Sequence, residues 1–93
     1  MLEQKIFEDY KSAMREKNAV KTTVISSLRA QFKYAALDKK KDVLDDVECV
    51  GVIKKIIKQH QDSIEQFTKG NRMDLVQKEE DELIILKAYL PPE

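Results

Sequence analysis

The sequence contains no tryptophan, one cysteine, one histidine, two glycines and two prolines in 93 residues. Each shortage excludes something. With Cys49 alone no intrachain disulfide can form, which rules out a secreted disulfide scaffold. A reducing compartment fits, and a cytoplasmic chain is expected. Sheet-rich domains need many turns, and so few glycines and prolines supply little turn chemistry. No apolar run approaches the roughly 20 residues of a transmembrane helix, so no membrane partner is expected. The opening Met1-Leu2-Glu3-Gln4-Lys5 is already amphipathic and does not read as a secretory signal.

Charge is plentiful. Charged residues make up 37% of the chain and hydrophobic residues 42%, a balance that suits helices with long polar faces. Net charge is zero, with 17 basic and 17 acidic residues, yet the signs are segregated. Residues 1–41 carry 10 basic and 5 acidic side chains, residues 42–53 are acidic, residues 54–72 basic and residues 74–93 acidic again. A nucleic-acid role therefore cannot rest on the overall isoelectric point, only on a local basic face.

Helical periodicity divides the chain into four segments. In the first, about Leu2 to Lys17, Leu2, Ile6, Tyr10 and Ala13 share an arc widened by Phe7 and Met14. Asn18 breaks the pattern and can cap the second segment, Ala19 to Asp38. There Val20, Val24, Leu28, Phe32 and Ala35 form the stripe, flanked by Ile25 and Ala36. The run Lys39-Lys40-Lys41 reads as a solvated final turn whose cations complement the helix dipole. Asp45 and Glu48 have capping-box spacing at the start of the third segment. Val50, Ile53, Ile57, Ile64 and Phe67 share its apolar face, with Ile56 beside them. Gly51 inside it costs up to about 1 kcal/mol against Ala, and the sequence leaves open whether it serves a close helix approach. Gly70 reads as a helix stop and Asn71 as the next cap. The fourth segment carries Leu75, Leu83, Leu86 and Leu90 and ends at Pro91-Pro92. The expected fold is all-α, a four-helix antiparallel bundle in one domain.

The parts of a catalytic constellation are missing. No H-E-x-x-H, CxxC, GxGxxG or Walker-type run occurs. A structural zinc site needs four ligands, and one His plus one Cys is too few, so neither metal nor cofactor is expected. Cys49 and His60 are eleven residues apart, about three helical turns, too far for a nucleophile–base pair. Three polar residues interrupt apolar stripes: Gln31, His60 and Glu79. They are expected to be buried, either hydrogen-bonded in the core or its rim, or gathered into a polar ligand site. In Glu79-Glu80-Asp81-Glu82 only Glu79 faces the stripe, and the rest read as solvated.

A longer series carries a resemblance. Lys58-Gln59-His60-Gln61-Asp62-Ser63-Ile64-Glu65-Gln66-Phe67 is followed by Gly70-Asn71-Arg72-Met73-Asp74-Leu75, then Glu79, Glu82-Leu83, Leu86 and Tyr89-Leu90-Pro91. Upstream stand Val24-Ile25-Ser26-Ser27-Leu28-Arg29, Lys33 and Asp38. Together these resemble the YqeY family over essentially the whole chain. The family's paired arginines are replaced by His60 and Gln61, and an asparagine after the second-segment lysine by Tyr34. The resemblance implies a second, smaller helical domain after residue 93. It also implies similarity to the helical and tail regions of the tRNA-dependent amidotransferase B subunit. That enzyme is a carbon–nitrogen ligase with glutamine as amido donor, a chemistry housed in other domains.

The leading functional expectation is a non-catalytic, tRNA-associated accessory module whose partners are tRNA or amidotransferase subunits. Its candidate contacts are Arg29, Lys33, Lys54, Lys55, Lys58 and Arg72. The alternative is a protein–protein docking or homo-oligomerisation bundle. Ile84, Ile85, Ala88 and Tyr89 spread the apolar surface of the last segment beyond its stripe and call for cover on a second side.

Overall fold

Two helical hairpins make up the computed structural model, which describes residues 2–90. The helices are α1 (Leu2–Arg15), α2 (Ala19–Asp38), α3 (Asp46–Lys69) and α4 (Met73–Lys87). Among the described residues there is no strand, and the architecture is the small all-α bundle expected. Helix α3 packs most extensively on α4, and α1 on α2, while α2 also touches both α3 and α4. The helix-stop role expected of Pro91 and Pro92 lies outside the described residues.

Local sequence explains where each helix begins. Asn18 caps α2 by accepting the Lys21 backbone N–H on its side chain at 3.1 Å. Asp45 and Glu48 form the reciprocal capping box on α3: the Glu48 N–H donates to Asp45 at 2.8 Å, and the Asp45 N–H donates to Glu48 at 3.1 Å. Leu44 and Cys49 occupy the two positions of a hydrophobic staple around this box, and both are buried in the core cluster. Asn71 does not cap α4. Arg72 is the N-cap residue and makes no side-chain cap bond.

The helix ends follow one pattern that glycine does not serve. After α1, α2 and α3 a single residue takes a left-handed backbone: Lys17, Lys40 and Asn71, with φ of 56°, 55° and 57°. Each time the next N–H reaches back five residues, from Asn18 to Ala13 at 3.0 Å, Lys41 to Ala36 at 2.9 Å and Arg72 to Phe67 at 2.8 Å. These are Schellman closures, which satisfy orphan carbonyls. Gly70 is the C-cap of α3, the stop expected of it, but at an ordinary φ of −84°, and the left-handed position falls one residue later. A Cβ at Gly51 would meet nothing within 4 Å, so no close helix approach depends on that glycine either.

The core is a single cluster. Ile6 from α1 joins Val24, Ile25, Leu28, Phe32 and Ala36 from α2, Cys49, Ile53 and Ile57 from α3, and Leu83 and Leu86 from α4. Burying each large side chain contributes about 1.5–3 kcal/mol. Val20, expected in the stripe of α2, is instead exposed, because it lies in the first turn beyond the reach of the cluster. Helix α3, at 24 residues about 36 Å long, outruns α2. Its buried residues all lie at or before Ile57, and Ile64 and Phe67 stay partly open. Two polar ties hold the ends together: the Asp46 carboxylate accepts the Leu2 N–H at 2.9 Å, and the Tyr89 hydroxyl donates to Asp9 at 2.7 Å.

The lysine run is exposed at the end of α2 as expected, yet two of its members are ion-paired. Helix α2 closes at Asp38, and the lysines lie beyond it. Lys39 and Lys41 donate to opposite oxygens of Glu48, at 2.8 and 2.6 Å. Sequence reasoning missed this because the partner lies across the loop, on the far hairpin. These bonds and the Asp45 N–H hold the Glu48 carboxyl down at about 2, against 4.5 normally, and raise Lys41. A depressed carboxyl contributes stability that is complete above the unfolded value and is lost as pH falls from about 4.5 towards 2. Glu48→Gln should therefore flatten the loss of stability across that window. Urea unfolding at stepped pH checks this, and an unchanged slope would contradict the clamp.

Candidate functional site

A polar cavity of about 350 Å³ opens where α2, α3 and α4 meet. Helix spacing lines it. Thr23, Ser27 and Gln31 follow one another at four-residue intervals beside the buried Val24 and Leu28 of α2. Gln59, His60 and Ser63 come from α3, and Glu79, Glu82 and Leu86 from α4. The three polar residues singled out by sequence thus share one cavity, but none is buried. Gln31 is exposed, and His60 and Glu79 each keep 21% of their side-chain surface. The cavity, open beside the core, is what spares them full desolvation.

Residue Glu82 was missed. It keeps only 15% of its side-chain surface and faces His60 rather than solvent. The available signal was its four-residue offset from Leu86, which puts both on one side of α4. His60 Nδ1 lies 3.0 Å from the Ile56 carbonyl oxygen. A carbonyl only accepts, so Nδ1 carries a hydrogen and donates it. Nε2 then points at Glu82 Oε1, 3.3 Å away, and Glu79 Oε2, 3.4 Å away. One ligand atom from each of the three residues lies within 4.8 Å of the others, close enough to share a cation.

The candidate contact cations divide between helices. Arg29 and Lys33 on α2 line a second groove, of about 330 Å³, with Glu3 and Lys41. The Arg29 guanidinium stacks over Phe7 at 4.4 Å and Tyr10 at 5.3 Å, with Lys11 also over Phe7 at 4.8 Å. Lys54, Lys55 and Lys58 are exposed on α3 and line neither cavity. Among the described residues, none of these five cations has a carboxylate within 4.0 Å. Arg72 differs: it pairs with Asp74 at 3.4 Å and lowers that carboxyl.

Known proteins bear on these features. A family model described as "Yqey-like protein" matches residues 3–93. Relatives named altered inheritance of mitochondria protein 41, mitochondrial, include that of Lachancea thermotolerans. It is 40% identical over 83 residues, covering 89% of this chain and 44% of that protein. The protein of the same name from Vanderwaltozyma polyspora is 37% identical, covering 89% and 45%. An uncharacterized protein of Schizosaccharomyces pombe is 33% identical over 91 residues, covering 98% and 70%. The chain belongs to the YqeY-like family and spans less than half the length of the first-named relatives. None of these matches carries the further likeness to an amidotransferase. The cytoplasmic expectation is corrected by the mitochondrial names of these relatives. A lone cysteine points to a reducing compartment without saying which membrane encloses it.

The cysteine itself is placed for packing. Cys49 is fully buried, and that burial, reinforced by Glu3, Asp46, Asp45 and Glu48, pushes its thiol up to about 11. The thiolate is the reactive form, so Cys49 is inert at neutral pH. A disulfide-forming colour reagent should modify it orders of magnitude more slowly in the native chain than in the urea-unfolded chain at the same pH and reagent concentration. Comparable rates would show an accessible nucleophile.

Proposed function

We propose that this chain is a non-catalytic accessory module that binds tRNA through the exposed cations of α2 and α3. One observation carries the reading: Arg29, Lys33, Lys54, Lys55 and Lys58 are exposed and, among the described residues, unpaired. Cations that make no internal ion pair are available to phosphates, and their association releases counterions. Arg29 adds a planar guanidinium already oriented by Phe7 and Tyr10. Arg72, held by Asp74, has a lesser share. The resemblance to the amidotransferase B subunit supplies the choice of tRNA. Amide transfer itself is left to other domains or subunits, since the one thiol is buried and protonated. We infer a mitochondrial setting from the names of the relatives.

A docking bundle is the rival reading, favoured by Ile84, which remains 69% exposed on α4 while Ile85 and Tyr89 turn into the core. Binding of the chain to tRNA at stepped salt separates the two. Affinity should fall steeply with salt, and Lys54→Ala/Lys55→Ala/Lys58→Ala should reduce the log–log slope by about 2 to 3. Arg29→Ala/Lys33→Ala should reduce it by about 1 to 2 on the same footing. No binding at low salt, or variants that bind like the parent, would leave the docking bundle in its place.

A further inference from the structure

We propose that His60, Glu79 and Glu82 form a binding site for one divalent transition-metal ion of the zinc class, bridging α3 and α4. The donors converge from two helices. Glu79 and Glu82 are three residues apart on α4, and both face His60 across the hairpin. Two of the three ligand-atom separations fit the ion, and the third lies within 4.8 Å. Zinc bound to imidazole nitrogen and carboxylate oxygen at roughly 2.0–2.2 Å in a tetrahedron separates neighbouring ligand atoms by roughly 3.3–3.5 Å. The two His60 Nε2 to carboxylate distances are 3.3 and 3.4 Å.

The tautomer of His60 is an independent observation. Because Nδ1–H is committed to the Ile56 carbonyl at 3.0 Å, the neutral ring presents an Nε2 lone pair to two carboxylates. A single cation placed among these three atoms could be bound by all of them. A ring N–H donated to a backbone carbonyl is also the outer-shell contact that fixes metal-binding histidines. One imidazole with two carboxylates suits a borderline ion such as Zn²⁺ better than Mg²⁺ or Ca²⁺, which prefer all-oxygen sets. Three protein ligands leave a fourth position towards the cavity, where Thr23, Ser27 and Ser63 offer hydroxyls to a bound water.

This site is separate from the tRNA-binding cations and stands or falls without them. The test is calorimetric titration of Zn²⁺ into chelator-stripped chain, repeated with Co²⁺ for the visible absorption of a tetrahedral ion. One ion per chain is expected. His60→Ala, Glu79→Gln and Glu82→Gln should each weaken binding by about a hundredfold or more, since loss of even an outer-shell partner costs 10–100-fold. The two isosteric Gln variants keep the test valid should His60→Ala disturb the fold, and Cys49→Ser should bind like the parent. The proposal is overturned by no binding, by binding that survives all three changes, or by Mg²⁺ displacing Zn²⁺ at comparable concentration. It is equally overturned if nitrogen NMR finds both ring nitrogens of His60 protonated with Zn²⁺ in excess.

Discussion

Burial of one side of α2 is the constraint on which the rest of the molecule depends. Val24, Ile25, Leu28, Phe32 and Ala36 lie inside the single core, and α2 touches each of the other three helices. Ile6, Ile53 and Leu86 reach the core from three directions. Without that side of α2, neither hairpin has a surface to pack on, because an amphipathic helix is stabilised mainly by its tertiary contacts. The same helix decides where function can sit. The flank of α2 next to its buried stripe carries Thr23, Ser27 and Gln31, so the edge of the core becomes the wall of a polar cavity.

His60 stands three residues beyond Ile57, the last buried residue of α3. At that level α2 presents the polar flank of Thr23, Ser27 and Gln31, and α4 presents Glu79 and Glu82, so polar side chains gain access to water without leaving the bundle. The ends of the hairpins are fixed separately, by Glu48 at the α2–α3 loop and by the Tyr89 to Asp9 bond between the chain's last described turn and α1. The cavity is therefore braced on both sides by contacts that do not involve its own residues.

Much of this was legible in the sequence, for reasons that are local. The bounds of α2, Ala19 and Asp38, coincide with the periodic segment, since Asn18 is a strong cap and the apolar stripe is regular. The capping box at Asp45 and Glu48 needs only residues three apart. What was not legible depended on another element. Glu48 has capping spacing in the sequence, but its two lysine partners are visible only once the loop is folded. Leu44 gives no periodic signal in its loop, yet it is fully buried. Asn71, not Gly70, takes the left-handed position after α3, a choice of register that composition does not encode. Gln31, His60 and Glu79 were recognisable as misfits in apolar stripes. Their association with Glu82 required the crossing of α3 and α4.

The proposed metal site assigns the polar cavity to binding rather than to stability. Carboxylates and imidazole gathered at the edge of a core are poor stabilisers, and apolar replacements of similar volume are often neutral or favourable. The most direct measurement is urea unfolding of the His60→Leu/Glu79→Met variant beside the parent, both in chelator. The variant should be as stable as the parent or more so, by up to about 1–2 kcal/mol, with an unchanged denaturant slope. A clear fall in the midpoint would mean that these polar groups hold the hairpin together, and would contradict that assignment.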